Sequence, residues 1–197
     1  GQGDATLIRA GPAAAVLVDA GPDPRLLLRC LDQLRIASVP LAAFTHLHAD
    51  HTAGAAALSG RGTSTVLTSA VRTPASGDAV VGAVPGERVE AAPGSAWQVG
   101  DARVEVLAAP ARPSLDLAAE GESSAENDAS LLLRATSGGV SVLLAGDAEE
   151  AGQSAHLALA ARLDVDVLLV PHHGSARRSE AFLAASRPSL AVVSVGV

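Results

Sequence analysis

The sequence predicts an α/β fold (α+β by some schemes) in which mixed sheets are covered by outer helices. Three observations carry that prediction. Apolar runs of strand length, at 41–45, 140–145 and 165–170, each end in residues able to do chemistry. Helical patterns separate several of these runs. Paired strand patterns flank the turns at Gly11-Pro12 and Gly138-Gly139, so the order is neither strict βαβ alternation nor all-β.

Taken in order, residues 4–9 and 14–19 read as two strands about Gly11-Pro12. Gly21-Pro22-Asp23-Pro24 then breaks the chain, and Pro24 suits the first turn of a helix. Leu27, Cys30, Leu31 and Leu34 keep an i, i+3, i+4, i+7 spacing, which predicts a helix over 24–35 with one apolar face and a buried Cys30 thiol. A strand at 41–45 runs into a histidine-rich loop and a short helix. Residues 60–100 hold a strand at 64–68 and then Gly/Pro/Ala sequence of little periodicity. Val104 and Val106 alternate with Arg103 and Glu105 in a strand at 102–107. Polar, acidic, Pro-containing residues 109–126 predict a long mobile loop or lid. A hairpin at 129–134 and 140–145, a helix at 148–162, a strand at 165–170, a helix near 178–185 and a strand at 189–195 complete the chain. No repeat or dividing linker is visible, so residues 1–197 read as one domain.

A hydrophobic fraction of 48% with 18% charged residues fits a folded unit with a sizeable core. Aromatics are only 2%, so aliphatic side chains must fill that core. All 14 basic residues are Arg, a bias of genome composition with little bearing on chemistry. The absence of Met, even at position 1, suggests a fragment of a longer protein. No apolar run reaches the roughly 18 residues needed to span a bilayer. A net charge of −7 argues against a generic polyanion-binding surface, so any nucleic-acid contact must be local, with Arg177 and Arg178 as candidates.

Five of the six histidines fall in two clusters, His46-Leu47-His48-Ala49-Asp50-His51 and His172-His173. Imidazole is the commonest metal ligand, and four ligand-type residues within six positions after a buried strand are hard to explain as ordinary surface. A His-x-His pair on a loop lets His46 and His48 reach one cation. Asp50 and His51 then serve a neighbouring one, His172 or His173 completes it, and Asp147 can bridge the two. Alone, Asp147 also fits a Gly-Asp turn or the N-cap of the helix that follows. Two ions about 3.5–4 Å apart can hold a hydroxide that attacks phosphorus or a carbonyl carbon. Nitrogen and oxygen ligation suits zinc, with manganese or iron also suitable. His156 lies in a helical pattern and reads as an ordinary surface or half-buried residue.

His46-x-His48-x-Asp50-His51 with Gly146-Asp147 and a later histidine resembles the metallo-β-lactamase-fold hydrolases. Gly1-Gln2-Gly3-Asp4-Ala5, Val18-Asp19-Ala20-Gly21-Pro22, Asn127-Asp128-Ala129-Ser130-Leu131, Leu144-Ala145-Gly146-Asp147 and Val170-Pro171-His172-His173-Gly174-Ser175 are similar to the β-lactamase-like domain of ComEC-type DNA-uptake proteins. The resemblance implies an αββα four-layer sandwich with two divalent ions (Zn or Mn) at one edge. His46 and His48 would hold the first ion, and Asp50, His51 and His173 the second, with Asp147 bridging. Asp50, Asp147 and His172 would be the catalytic groups, His172 contacting or protonating a phosphate oxygen, although His172 and His173 can exchange roles. Asp4, Asp19, Asn127, Ser130 and Ser175 would orient ligands or bind substrate.

The resemblance also implies an extracytoplasmic domain of a plasma-membrane protein, whose channel belongs to the same polypeptide. Its expected activity is that of a metal-dependent deoxyribonuclease degrading the non-imported strand of DNA. One departure stands out. The wider fold supplies a third histidine to the first ion, but this chain has none between His51 and His156, and Leu107-Ala108-Ala109-Pro110 stands near the expected place. The first site should therefore bind weakly. Two other readings stay open: a hydrolase of the same fold acting on a lactone, thioester or β-lactam, and a degenerate non-catalytic module of the channel.

Overall fold

The computed structural model describes residues 3–110 and 124–195. The chain opens with β1 (Thr6–Arg9) and β2 (Ala14–Val18), an antiparallel pair. Helix α1 (Pro24–Gln33) starts on an Asp23 cap, whose carboxylate accepts from the Arg25 amide at 2.8 Å. Strand β3 (Ser38–Phe44) follows, then the single turn α2 (Ala49–Thr52) and a 3₁₀ segment, Ala53–Leu58. Next come β4 (Thr65–Thr68), α3 (Ala75–Gly82) and β5 (Glu87–Glu90). Strands β2 to β5 run parallel, and with β1 they form the first sheet, ordered β1-β2-β3-β4-β5.

The second sheet takes β6 (Ala96–Val99), β7 (Ala102–Ala108), β8 (Leu132–Ser137), β9 (Val140–Leu144), β10 (Val167–Leu169) and β11 (Leu190–Val192), adjacent in that order. Its first three pairings are antiparallel and its last two parallel. Helix α4 (Ser124–Asp128) precedes β8, α5 (Glu150–Leu159) follows β9, and α6 (Glu180–Ser186) precedes β11.

The layers follow from two-residue alternation along the strands. Val16, Val18, Leu41, Ala43 and Leu67 face Val104, Val106, Leu133 and Leu144 across the space between the sheets. Their neighbours Leu17, Ala42, Phe44 and Val66 point outward, onto Leu27 and Leu31 of α1, Leu58 and Val81 of α3. On the far side Leu132, Leu143 and Leu168 pack with Phe182 of α6. The result is the expected four-layer αββα arrangement. Among the described residues no helix is long and apolar enough to cross a membrane.

Several expectations need correction. Cys30 is exposed, because α1 buries only the stripe through Leu27 and Leu31; Leu34 is its C-terminal cap and is also exposed. His156 is fully buried, donating through Nε2–H to the Ser130 carbonyl at 2.9 Å. The weakly periodic residues after 68 contain α3, β5 and β6. Of the expected loop at 109–126, residues 111–123 lie outside the described residues, while residues from 124 on form α4. Helix α5 is capped at Glu149, so Asp147 is not its cap.

Candidate metal centre

The candidate site sits where strands of both sheets end on one edge. Asp19 follows β2 and the first histidine cluster follows the parallel strand β3. Asp147 follows β9, and His172-His173 follows the parallel strand β10. Because β1 is antiparallel to β2, and β8 to β9, the segments entering β1 (Asp4) and β8 (Glu126 to Ser130) reach the same edge. Two backbone bonds tie the loops across it: Leu131 N–H to the Thr45 carbonyl at 2.9 Å, and His172 N–H to the Gly146 carbonyl at 3.1 Å.

Local sequence fixes these turns. Gly146 takes φ +52°, and a Cβ there would overlap Thr45 and come within 2.9 Å of Ser130 Oγ, so only glycine delivers Asp147 in this position. Asp19, His172 and His173 also have positive φ, of 55°, 50° and 53°. Three non-glycine residues in this sparsely populated region, all at one edge, are backbone strain gathered at a site. Asp19 is held there by bonds its carboxylate accepts, from Thr45 N–H and Thr45 Oγ1–H, each at 2.8 Å.

Asp50, His51, Asp147 and His173 offer ligand atoms that all lie within 4.8 Å of one another. His51 Nε2 is 3.2 Å from Asp147 Oδ1 and 3.8 Å from Asp50 Oδ2. His173 Nε2 is 3.4 Å from Asp147 Oδ2 and 3.7 Å from Asp50 Oδ2. Ligands about 2.0–2.1 Å from a tetrahedral zinc stand about 3.3 Å apart. His51 Nε2, His173 Nε2 and Asp147 Oδ1 are buried and make no hydrogen bond among the described residues, despite their proximity. Side chains aimed at a common point instead of at each other fit a cation.

Outer contacts set the imidazoles. His51 Nδ1 donates to Asp19 Oδ2 at 3.0 Å, which makes Nε2 the atom that offers a lone pair once an ion displaces its proton. His173 Nδ1 lies 3.7 Å from Asp4. On the other side, His46 Nε2 is buried without a partner among the described residues, and its ring is 4.2 Å from that of His51 and 4.7 Å from that of His48. His48 turns Nε2 to Glu126, 2.8 Å from its Oε2. The four-membered cluster therefore includes neither His46 nor His48.

Electrostatics follow the geometry. Burial alone would lower the His51 pKa, but Asp19 and Asp147 outweigh it and hold it well above the ordinary value. The nearby Asp147 and Asp50 carboxylates, 3.4 and 3.7 Å from its Nε2, raise His173 to about 10. Burial would raise Asp147 and Asp50, but the adjacent His173 and His51 win, and both carboxyls sit below their usual range. Asp19 is raised by burial, only partly offset by His51. Burial first, then the His51 charge, pushes His46 well below its ordinary value.

Of the remaining expected residues, His172 stands outside the cluster, its Nδ1 3.5 Å from Glu149 Oε1. Arg177 Nη1 donates to Glu149 Oε2 at 3.1 Å, while Arg178 pairs with Glu180 at 2.9 Å. Asn127 Nδ2 donates to Glu149 Oε1 at 3.4 Å, and Ser175 Oγ accepts from Arg177 N–H at 3.2 Å. Ser130 Oγ is buried beside Gly146 with no partner among the described residues. Glu126, Glu149 and Thr45 were not among the expected site residues. The acidic run ahead of Asn127 disguises the first as loop, and only the spacing Asp147-x-Glu149 hints at the second.

The chain matches the family described as the metallo-beta-lactamase superfamily over residues 1–197. It is 32% identical over 104 residues to ComE operon protein 3 of Bacillus subtilis (strain 168), a match that covers 52% of this chain and only 12% of that protein. Among solved structures it is similar to MIM-2 metallo-beta-lactamase, with TM-score 0.57, 22% identity, and 97% of this chain and 76% of that one covered. It is also similar to MEM-A1, a subclass B3 metallo-beta-lactamase from a soil metagenome library, with TM-score 0.55, 22% identity, and 85% and 72% covered. Likeness at that identity speaks for the fold alone. With the whole length matched and the strand-end cluster in place, this chain belongs to the metallo-beta-lactamase superfamily.

Proposed function

We propose that this chain is a metal-dependent phosphodiesterase acting on single-stranded DNA. In this reading it is the extracytoplasmic domain of a DNA-uptake channel in the plasma membrane and degrades the strand that is not imported. The observation that carries the hydrolase part is the convergence of Asp50, His51, Asp147 and His173 on one point, with their nitrogen and oxygen atoms unsatisfied by each other. The similarity to ComE operon protein 3 supports the link to competence.

Two divalent ions, zinc or manganese, fit the donor set, and when bound they supply Lewis acidity and a nucleophile at neutral pH. Asp50, His51, Asp147 and His173 would hold one of them, and His46 and His48 the other. Asp19 holds His51 in the orientation the ion needs, and Asp4 lies 3.7 Å from Nδ1 of His173. Asp50 is the most exposed carboxylate of the cluster, with 24% of its side chain accessible, and is the group placed to take a proton from incoming water. His172 and Arg177, gathered about the buried Glu149, would offer an imidazole and a guanidinium to a phosphodiester. An acidic chain can thus contact a polyanion locally.

The test is cleavage of single-stranded DNA by the chain loaded with Mn²⁺ or Zn²⁺. Cleavage that disappears in Asp147→Ala is expected; a wild-type chain that carries metal yet leaves DNA intact overturns the reading. The same preparation assayed on lactone, thioester and β-lactam substrates distinguishes the other hydrolase activities of this fold. A chain that takes up no metal after supplementation points to the non-catalytic module.

A further inference from the structure

We propose that Glu126 is the positioning carboxylate of the first metal site and makes good part of what a third histidine would supply. The proposal rests on the metal-centre reading above. Its first observation is the pair itself. Glu126 Oε2 lies 2.8 Å from His48 Nε2, with only 9% and 2% of the two side chains accessible. A carboxylate is buried against an imidazole only where the pairing compensates its lost hydration.

The chemistry of the ring then follows. A neutral imidazole has one N–H and one lone pair. With the Nε2 proton given to Glu126, the lone pair is on Nδ1, and Nδ1 is the atom His48 can offer a cation. Asp19 does the converse for His51, taking the Nδ1 proton and leaving Nε2. The two sites thus each have one carboxylate–histidine pair, of opposite tautomer. Such outer partners fix ring orientation and raise ligand basicity, and losing one costs about 10–100-fold in metal affinity.

A second, independent observation points to a ligand on this side. His46 is 3% exposed, and its Nε2 has no partner among the described residues. Its Nδ1 lies 3.2 Å from Thr45 Oγ1, whose own proton goes to Asp19, so Nδ1 is the donor and the unshared pair on Nε2 is uncommitted among the described residues. The support for Glu126 is itself built. Asp128 Oδ1, at the end of α4, accepts from the Glu149 and Gly152 amides at the start of α5, both at 2.9 Å. A Cβ on Gly152 would come within 2.7 Å of Asp128, so glycine there permits the close approach of α4.

The experiment strips the chain of metal and titrates it with Mn²⁺ or Zn²⁺, reading stoichiometry by elemental analysis and affinity by calorimetry. Wild type is expected to take two ions in two steps. Glu126→Ala should weaken one step by about 10–100-fold and leave the other unchanged, the unchanged step showing that the variant is folded. Glu126→Gln keeps a carbonyl to accept from His48 and should weaken that step less. Two wild-type steps in Glu126→Ala overturn the proposal, as does a wild-type chain that takes a single ion. A single-ion chain that still cleaves DNA leaves the hydrolase reading standing, whereas a Glu126-sensitive step in a chain that cleaves no DNA leaves Glu126 standing without it.

Discussion

The Asp147 side of the centre and the His46 side share the loop after β3 but solve different problems. Around Asp147, two imidazoles with raised pKa values alternate with two carboxylates with lowered ones. That side is charge-balanced without an ion, so an incoming cation must displace protons to enter. Around His46 there is little charge to displace and little to attract, since burial keeps that ring neutral and His48 is committed at Nε2 to Glu126. Carboxylates contribute attraction on one side; on the other, a fixed tautomer contributes preorganisation. A strong and a weak ion site are the expected consequence.

The largest effect that can break this comparison is at Asp147, which touches both His51 and His173. Asp147→Ala should remove the ion from its side and lower DNA cleavage by at least about 100–1000-fold, the range for loss of a central electrostatic group; residual metal at full stoichiometry would deny it that place. Next come the paired histidines. His173→Ala should lose the ion held with Asp147, while His172→Ala should keep metal content and raise KM for DNA, because His172 stands outside the cluster. The reverse pattern in elemental analysis would exchange their roles. Asp19→Ala deletes the partner of His51 and two bonds from Thr45. It should cost about 10–100-fold in affinity at the Asp147 side alone. Calorimetry on Asp19→Ala beside Glu126→Ala then shows whether each carboxylate governs its own ion.

Much of this was legible in the sequence, and the part that was not has physical causes. Strands β2 and β3 are buried on both faces almost throughout, and β9 over its last two residues, so they read as continuous apolar runs, and the chemistry stands where those runs stop. Strand β5, Glu87-Arg88-Val89-Glu90, lies at a sheet edge with neither face fully covered, so it leaves no apolar alternation to find. Helix α3 buries only Gly77 and Val81, too little for a helical period. Helix α4 is five residues long and is held by the bonds of Asp128 to α5, a tertiary cause that propensity cannot report. Glu126 was hidden for that reason. Cys30 fails oppositely: its spacing is right, but the stripe of α1 that meets the sheet is one residue wide.

At neutral pH the smallest effect is expected from His156, the buried histidine behind the His46 side. Burial pushes its pKa down to about 4, and the Ser130 carbonyl offsets this only in part. Between pH 6.5 and 4 the unfolded chain binds a proton that the folded chain refuses. The contribution of the neutral ring is therefore complete above pH 6.5 and is lost as pH falls toward 4, by roughly 2 kcal/mol at pH 5. His156→Gln cannot titrate and can still donate to Ser130, so thermal melts from pH 7 to 4 should give a flatter Tm profile than wild type, by a few degrees at pH 5. An unchanged acid slope in His156→Gln would mean that the acid lability of the fold arises elsewhere, with the carboxylates around Asp147 the first place to look.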